Sequence, residues 1–355
     1  MKKTILASIL SLVALAGCAQ ETSEGNEATA PATLESSEEV STRETATVLD
    51  FDGNQIEVAV NPTVVAIYDF GVLDILYNIG FERTGIETLI IPNATGGLPS
   101  SLAFFETLDN VHFGGNLFYI DHDVLDLIQP ELVILGARAF GMNAAGDRLN
   151  ADDTEAFRNA TLERYEDTTW IRLGPGREIN LVDDMVKSAN ALSLIFPDLA
   201  DDIQGELAGI LEGIEAVYQL ASASGSTAIF AMMMDATSLS VFNPGSRFNM
   251  LYEEFGFLPA DAESPTFTDQ HGFDVRAEYL LSIDPDIIFV LDRSNNMADE
   301  PGPAFENILT DPIVAQTTAA QNGNIIFLNP TAWYIITGGF GAARQMIDDL
   351  MAYLG

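Results

Sequence analysis

The chain of 355 residues carries 53 acidic and only 15 basic side chains, a formal net charge of −38. That balance excludes nucleic-acid binding, which needs a basic footprint. The single cysteine excludes an intrachain disulfide and any multi-thiolate metal site. The acidic residues are spread over every segment and read as a solvated surface suited to salty surroundings, where exposed charges are screened within ~10 Å or less. The few arginines near a pocket, not the global charge, would then decide what binds.

Lys2 and Lys3 precede an apolar run, Ile5 to Ala14, broken only by Ser8 and Ser11. Spanning a hydrocarbon core takes ~20 apolar residues, so this run reads as a secretory signal peptide, residues 1–18. Its end, Leu15-Ala16-Gly17-Cys18, resembles the lipobox of bacterial lipoproteins. That resemblance implies cleavage before Cys18 and acylation of the new terminus, and several acyl chains anchor stably where one would not. All 53 acidic residues follow Cys18 and two of the 15 basic ones precede it, so the processed charge is 13 − 53 = −40. Residues 19–45 are rich in Glu, Ser, Thr and Ala and hold no aromatic residue. They cannot bury enough apolar surface to offset their ordering entropy and are expected to form a disordered tether. The remaining 310 residues suffice for two lobes.

Ala46 to Val60 predicts a β-hairpin, with alternating apolar runs on either side of Asp52-Gly53. Val64–Tyr68 predicts a strand and Gly71–Ile79 a helix that stops at Gly80. Strand then helix recurs, the signature of an α/β lobe. The segment from Leu127 to Arg138 parallels that from Ser282 to Arg293. In each, a helix end leads to Pro-acid, an apolar strand, and an arginine eight residues after the proline. The apolar runs read as buried parallel strands, and each arginine falls at a strand's carboxyl end, where open α/β sheets place ligands. Between the copies, Leu181–Phe196 and Leu199–Ala221 show helical spacing interrupted by Pro197. A helix of that second length reaches ~36 Å, enough to cross between lobes. Ser226–Met234 and Ser238–Phe242 predict the strands that open the second lobe. The fold class is therefore α/β: a first lobe over 46–196, a spanning helix over 197–222 and a second lobe over 223–355.

Asn243-Pro-Gly-Ser-Arg-Phe248 reads as a turn before a helix start, able to expose backbone N–H groups and to aim Arg247 into a cleft; a plain turn with a solvated arginine is the alternative. His271 lies in a polar stretch ahead of a helical segment expected from Asp274. A lone histidine is more often structural, and His112 and His122 carry no assignment. Trp333-Tyr334 follows the strand Asn324–Leu328, where an aromatic pair ordinarily packs a core or an edge.

Taken in order, Pro62–Gly80, Leu127–Arg138, Asn243–Phe248, Gln270-His271-Gly272, Asp284–Arg293 and Gly323–Gly339 resemble the helical-backbone class of ABC-transporter solute-binding proteins. The similarity is nearest the branch that binds ferric catecholate siderophores. It implies that Arg138, Arg247 and Arg293 face the anionic catecholate oxygens. It also implies that His271 and Tyr334 ligate iron when the siderophore leaves two positions open. There is then no intrinsic cofactor, and ferric iron arrives as the siderophore chelate. The implied partners are that chelate, ABC permease subunits and the membrane under a lipid anchor, with the protein a monomer outside the cytoplasm. The chemistry is consistent, since ferric iron takes oxygen donors and imidazole and planar guanidinium groups match anionic oxygens. Thr331-Ala332, Asn249 and the stretch Pro92–Phe105 depart from the pattern. A haem receptor of the same class would also use Tyr or His, whereas a zinc or manganese receptor should bring several histidines and carboxylates into the cleft, which three histidines in the whole chain fit poorly. A secreted α/β enzyme is the remaining alternative, although Gly-x-Ser-x-Gly, His-Glu-x-x-His and a phosphate-cradling glycine loop are all missing.

Overall fold

The computed structural model describes residues 43–94, 97–174, 179–235, 238–261, 272–294 and 299–355; the expected signal segment with Cys18, the expected tether up to residue 42, and His271 lie outside the described residues. The described residues start at Arg43, inside the span expected for the tether. Its guanidinium pairs with Glu131 and donates to the carbonyl of Asn61 at 2.6 Å. The hairpin joins β1 (Thr45–Leu49) to β2 (Gln55–Ala59) in antiparallel register.

β3 (Val64–Tyr68), β4 (Thr88–Asn93), β5 (Val111–Asn116), β6 (Leu132–Leu135) and β7 (Thr169–Arg172) form the first sheet, in the order β5-β4-β3-β6-β7 with every neighbour parallel. Its central strands β3, β4 and β6 are almost wholly buried, as strands covered by helices on both faces must be. The connecting helices include α1 (Phe70–Asn78), α2 (His122–Ile128) and α3 (Ala151–Arg164). Asp69 caps α1 by accepting the N–H of Val72, and the helix stops before Gly80, whose φ of 90° suits only glycine well.

α4 (Leu181–Ile195) leads into a tight turn, Pro197–Leu199, and then α5 (Ala200–Ser224). Pro197 opens the turn, where its missing N–H costs nothing, and left-handed Gly225 ends the helix. The 25 residues of α5 reach ~37 Å at 1.5 Å per residue, joining the two lobes.

The second sheet holds β8 (Thr227–Met233), β9 (Leu239–Phe242), β10 (Leu258–Pro259), β11 (Phe273–Val275), β12 (Ile287–Asp292) and β13 (Ile325–Leu328). Its order is β11-β9-β8-β12-β13, with β10 also on β8. β8, β12 and β13 run parallel, whereas β9 turns back against β8 and β11 against β9. Asp274 therefore sits in an edge strand, not at the start of a helix as its sequence neighbourhood suggested. Phe273-Asp274-Val275 alternates like a strand and pairs with β9, and helical structure begins only at Ala277. α6 (Met250–Glu253), α7 (Ala277–Ile283), α8 (Pro303–Thr310), α9 (Thr318–Asn322) and α10 (Phe340–Leu354) complete this lobe.

The two Pro-to-Arg segments are built alike. Gln129 and Asp284 each close a helix with positive φ, 54° and 42°. After the proline, the N–H of Glu131 meets the carbonyl of Val64 at 2.8 Å, and that of Asp286 meets Thr227 at 3.0 Å. Each copy thus docks its strand on the first strand of its own sheet.

One continuous apolar core runs from β3 and α1 through α4 and α5 to α10 and a face of the second sheet. α10 packs on both α5 and α1. At that junction Asp74 of α1 is buried, and one of its carboxylate oxygens accepts the N–H groups of Gly341 and Ala342 at 2.6 and 3.2 Å. A side chain on Gly339 would meet that carboxylate at 2.4 Å, so glycine is required there. Among the described residues no helix is long and apolar enough to cross a membrane.

Candidate functional site

Four backbone features deliver the site. β6 ends at Leu135 and the following turn carries Arg138. β12 ends at Asp292, and Arg293 follows at once, its N–H donating to the carbonyl of Met233 at 2.8 Å. Asp292 is itself buried and fixes the outgoing chain by accepting from the N–H of Ser294 at 2.8 Å and of Phe305 at 3.0 Å. The turn after β9, with Gly245 at φ 84°, presents Arg247.

The fourth feature is a π-helical turn over Thr331–Ile335, in which the N–H of Ile336 reaches back to the carbonyl of Thr331 at 3.0 Å. Such turns are rare and recur at functional sites. This one divides the aromatic pair. Trp333 is fully buried, packs near Phe230 and Phe255, and donates to Asp349 at 2.9 Å. Tyr334 faces the other way. Trp333 is therefore core, as an aromatic pair usually is, and Tyr334 is not.

All three arginines converge on Tyr334. The guanidinium carbons of Arg247, Arg293 and Arg138 lie 4.1, 4.3 and 5.5 Å from its ring centroid, distances at which a cation is attracted by a ring's face. Nη2 of Arg138 donates to the Tyr334 carbonyl at 2.8 Å, and Nη2 of Arg247 donates to the same oxygen at 3.0 Å. None of the three is in an ion pair with a described carboxylate.

Among the described residues this cluster of positive charge makes no ion pair, and Asp69 is the carboxylate whose charge acts on it. Burial holds the Arg138 guanidinium below the usual arginine range, with the nearby Asp69 and Tyr334 opposing that shift. Arg247 is pushed down to about 10, first by burial and then by the charges of Arg138 and Arg293. Among the described residues its Nε is buried without a hydrogen-bond partner, as are the side-chain nitrogen and oxygen of Asn243 and the hydroxyl of Ser246. Buried polar groups are normally satisfied; of these three residues, Arg247 lines the cavity and Asn243 and Ser246 do not.

Arg247, Arg293 and Tyr334 line a cavity of about 290 Å³. Arg138 does not line it; it reaches Tyr334 from the first lobe. The rest of the lining includes Met232, Met234, Ser240, Phe242 and Asp274. Met232 of β8 and Met234 just past its end alternate as Ser240 and Phe242 of β9 do, with Asp274 of β11 opposite Ser240. Sequence reading missed this floor, although its signal, period-two alternation along two adjoining strands, was present. His112 is exposed on β5, and His122 bonds Thr161 at 3.0 Å between Phe157 and Tyr165; neither lines the cavity. Among the described residues no group of three or more His, Cys, Asp or Glu side chains could hold a metal ion.

Residues 198–332 match the periplasmic binding protein family. The petrobactin-binding protein YclQ of Bacillus subtilis is 26% identical over 299 residues, 84% of each chain. Its crystal structure superposes with a TM-score of 0.71 at 28% identity, covering 88% of this chain and 99% of that one. The ferric-anguibactin-binding protein FatB of Vibrio anguillarum is 22% identical over 343 residues, 96% of this chain and 94% of its own. The catecholate-siderophore binding protein VctP of Vibrio cholerae shares the fold, with a TM-score of 0.71 at 22% identity over 87% of this chain and all of that one. The family and these relatives are binding proteins, not enzymes.

Proposed function

We propose that this chain, a solute-binding protein of the periplasmic binding protein family, captures a ferric siderophore outside the cytoplasmic membrane and passes it to an ABC permease. The observation that carries the reading is the convergence of Arg138, Arg247 and Arg293 on Tyr334 with no described carboxylate in an ion pair with any of them. An anionic chelate relieves the repulsion among the guanidinium groups and offers acceptors to Arg247 and Arg293, which line the cavity. The relatives' ligands support the same class: petrobactin for YclQ, ferric anguibactin for FatB, a catecholate siderophore for VctP.

In this reading the arginines bind the chelate's anionic oxygens, and Tyr334 and His271 complete the iron's coordination when the siderophore leaves positions open. Burial of the guanidinium groups strengthens each charged hydrogen bond, because the surroundings screen less than water does. The permease then receives the loaded protein at the membrane, where Cys18 holds it by its acyl chains.

An absorption titration with a ferric catecholate, and separately with haemin, tests the ligand class. A saturating change with the catecholate and none with haemin is expected; a Soret shift with haemin alone would make this a haem receptor. For the anchor, Cys18→Ser should abolish partition into the detergent phase, and a serine variant that still partitions there contradicts lipidation.

A further inference from the structure

β8 ends at Met233, and the next residue, Met234, enters the connection to β9, its N–H donating to the carbonyl of Ser238 at 3.0 Å. Met234 lines the ligand cavity together with Arg247, Arg293 and Tyr334. Nη1 of Arg293 lies 3.5 Å from its sulfur, Sδ. A thioether is a weak acceptor, so this contact holds the guanidinium loosely. Met234 is also 43% exposed, whereas Met232, Met233 and Met250 are 5% exposed or less. An oxidant dissolved in water therefore reaches the Met234 sulfur before theirs, beside a charge that the site uses to hold its ligand.

Oxidation changes this contact in kind. Hydrogen peroxide takes two electrons from the thioether: the O–O bond breaks, one oxygen forms the S=O bond, and the other leaves as water with both protons. A flexible apolar side chain becomes a polar one. The new oxygen is bonded to the atom that Arg293 already reaches. It accepts a charged hydrogen bond stronger than any the sulfur can make.

We infer that Met234 is an oxidation-sensitive switch in the binding site, whose sulfoxide captures Arg293 and so lowers affinity for an anionic ligand. The loss of affinity rests on the siderophore reading above; the selective oxidation does not. Sulfoxide reductases reverse the modification, so the loss is recoverable.

The test treats ligand-free wild-type protein and Met234→Leu with dilute hydrogen peroxide, removes the peroxide with catalase, and follows each methionine by peptide mass spectrometry. A ferric catecholate is then titrated into treated and untreated samples. In the wild type, Met234 should gain an oxygen faster than Met232, Met233 and Met250. Affinity should fall about tenfold, as for one charged hydrogen bond lost to the ligand, and methionine sulfoxide reductases should restore it. Whatever its starting affinity, Met234→Leu should bind equally before and after treatment. Oxidation of Met234 no faster than of the buried methionines, unchanged affinity in the oxidised wild type, or an equal loss in Met234→Leu overturns the inference and leaves the siderophore reading standing. Untreated wild-type protein that binds no ferric catecholate overturns both.

Discussion

Arg138, carried by the first sheet, donates at 2.8 Å to the backbone carbonyl of Tyr334, carried by the second. Arg247 shares that oxygen at 3.0 Å, so a single acceptor joins both lobes beside the cavity. The π-helical turn gives Tyr334 its place, with the carbonyl toward the guanidinium groups and the ring under them. A ligand that draws Arg138 toward itself acts on the contact between the lobes as well as on the site.

Tyr334 and His271 should behave differently from the arginines. A hexadentate siderophore already fills iron's coordination positions, so replacing either residue should affect it little. A tetradentate ferric catecholate should bind less tightly to Tyr334→Phe and to His271→Ala. Tyr334→Phe should also shift the visible charge-transfer band, because a phenolate–iron bond is lost. Equal losses for both ligand types with an unchanged spectrum would show that neither side chain touches the metal.

The lobes should move little on binding. α5 is continuous over 25 residues, and the core runs unbroken across both lobes. Large domain closure normally works through flexible loop or element-terminal hinges, which a long packed helix does not supply. Small-angle scattering with and without ferric catecholate should give nearly the same radius of gyration. A large contraction would contradict the strut.

Asp74 should make stability depend on pH. Burial raises its carboxyl to about 6, against the hydrogen bonds from Ala342 and Gly341 that favour ionisation, while an unfolded aspartate titrates near ~3.9. The native state therefore holds the extra proton between those values. The stabilisation is fully present below the lower one and is lost as pH rises through the upper. Asp74→Asn keeps an acceptor oxygen and removes the titration. The wild-type advantage over Asp74→Asn should be greater at about pH 4 than at about pH 7.5, by on the order of 2 kcal/mol. Urea unfolding at both values checks this, and a constant difference would show that Asp74 does not titrate in that window.

The α/β architecture was legible because its signals are local. Apolar strand runs, Gly80 and Pro197 each act on their own neighbours. The paired Pro-to-Arg spacing placed Arg138 and Arg293 at strand ends, and the structure shows why it recurs: Gln129 and Asp284 turn the chain with the same left-handed residue. What stayed hidden depends on tertiary pairing. Asp274 read as a helix start because Asp commonly caps helices, and only its register against Ser240 makes it an edge-strand residue. The division of Trp333 from Tyr334 likewise follows from a π-helical turn that no local pattern announces. Asp74 is a polar residue on a helix's buried face, and its reason, the amino end of α10, lies 267 residues away.

The central claim is that the three guanidinium groups hold an anionic iron chelate. Its most direct test is a fluorescence titration of the wild-type protein and of Arg138→Ala, Arg247→Ala and Arg293→Ala with one hexadentate ferric catecholate. A charged hydrogen bond is worth ~1.5–3 kcal/mol, so each substitution should weaken binding roughly ten- to a hundredfold, with circular dichroism unchanged. Undiminished affinity in all three variants would contradict the account.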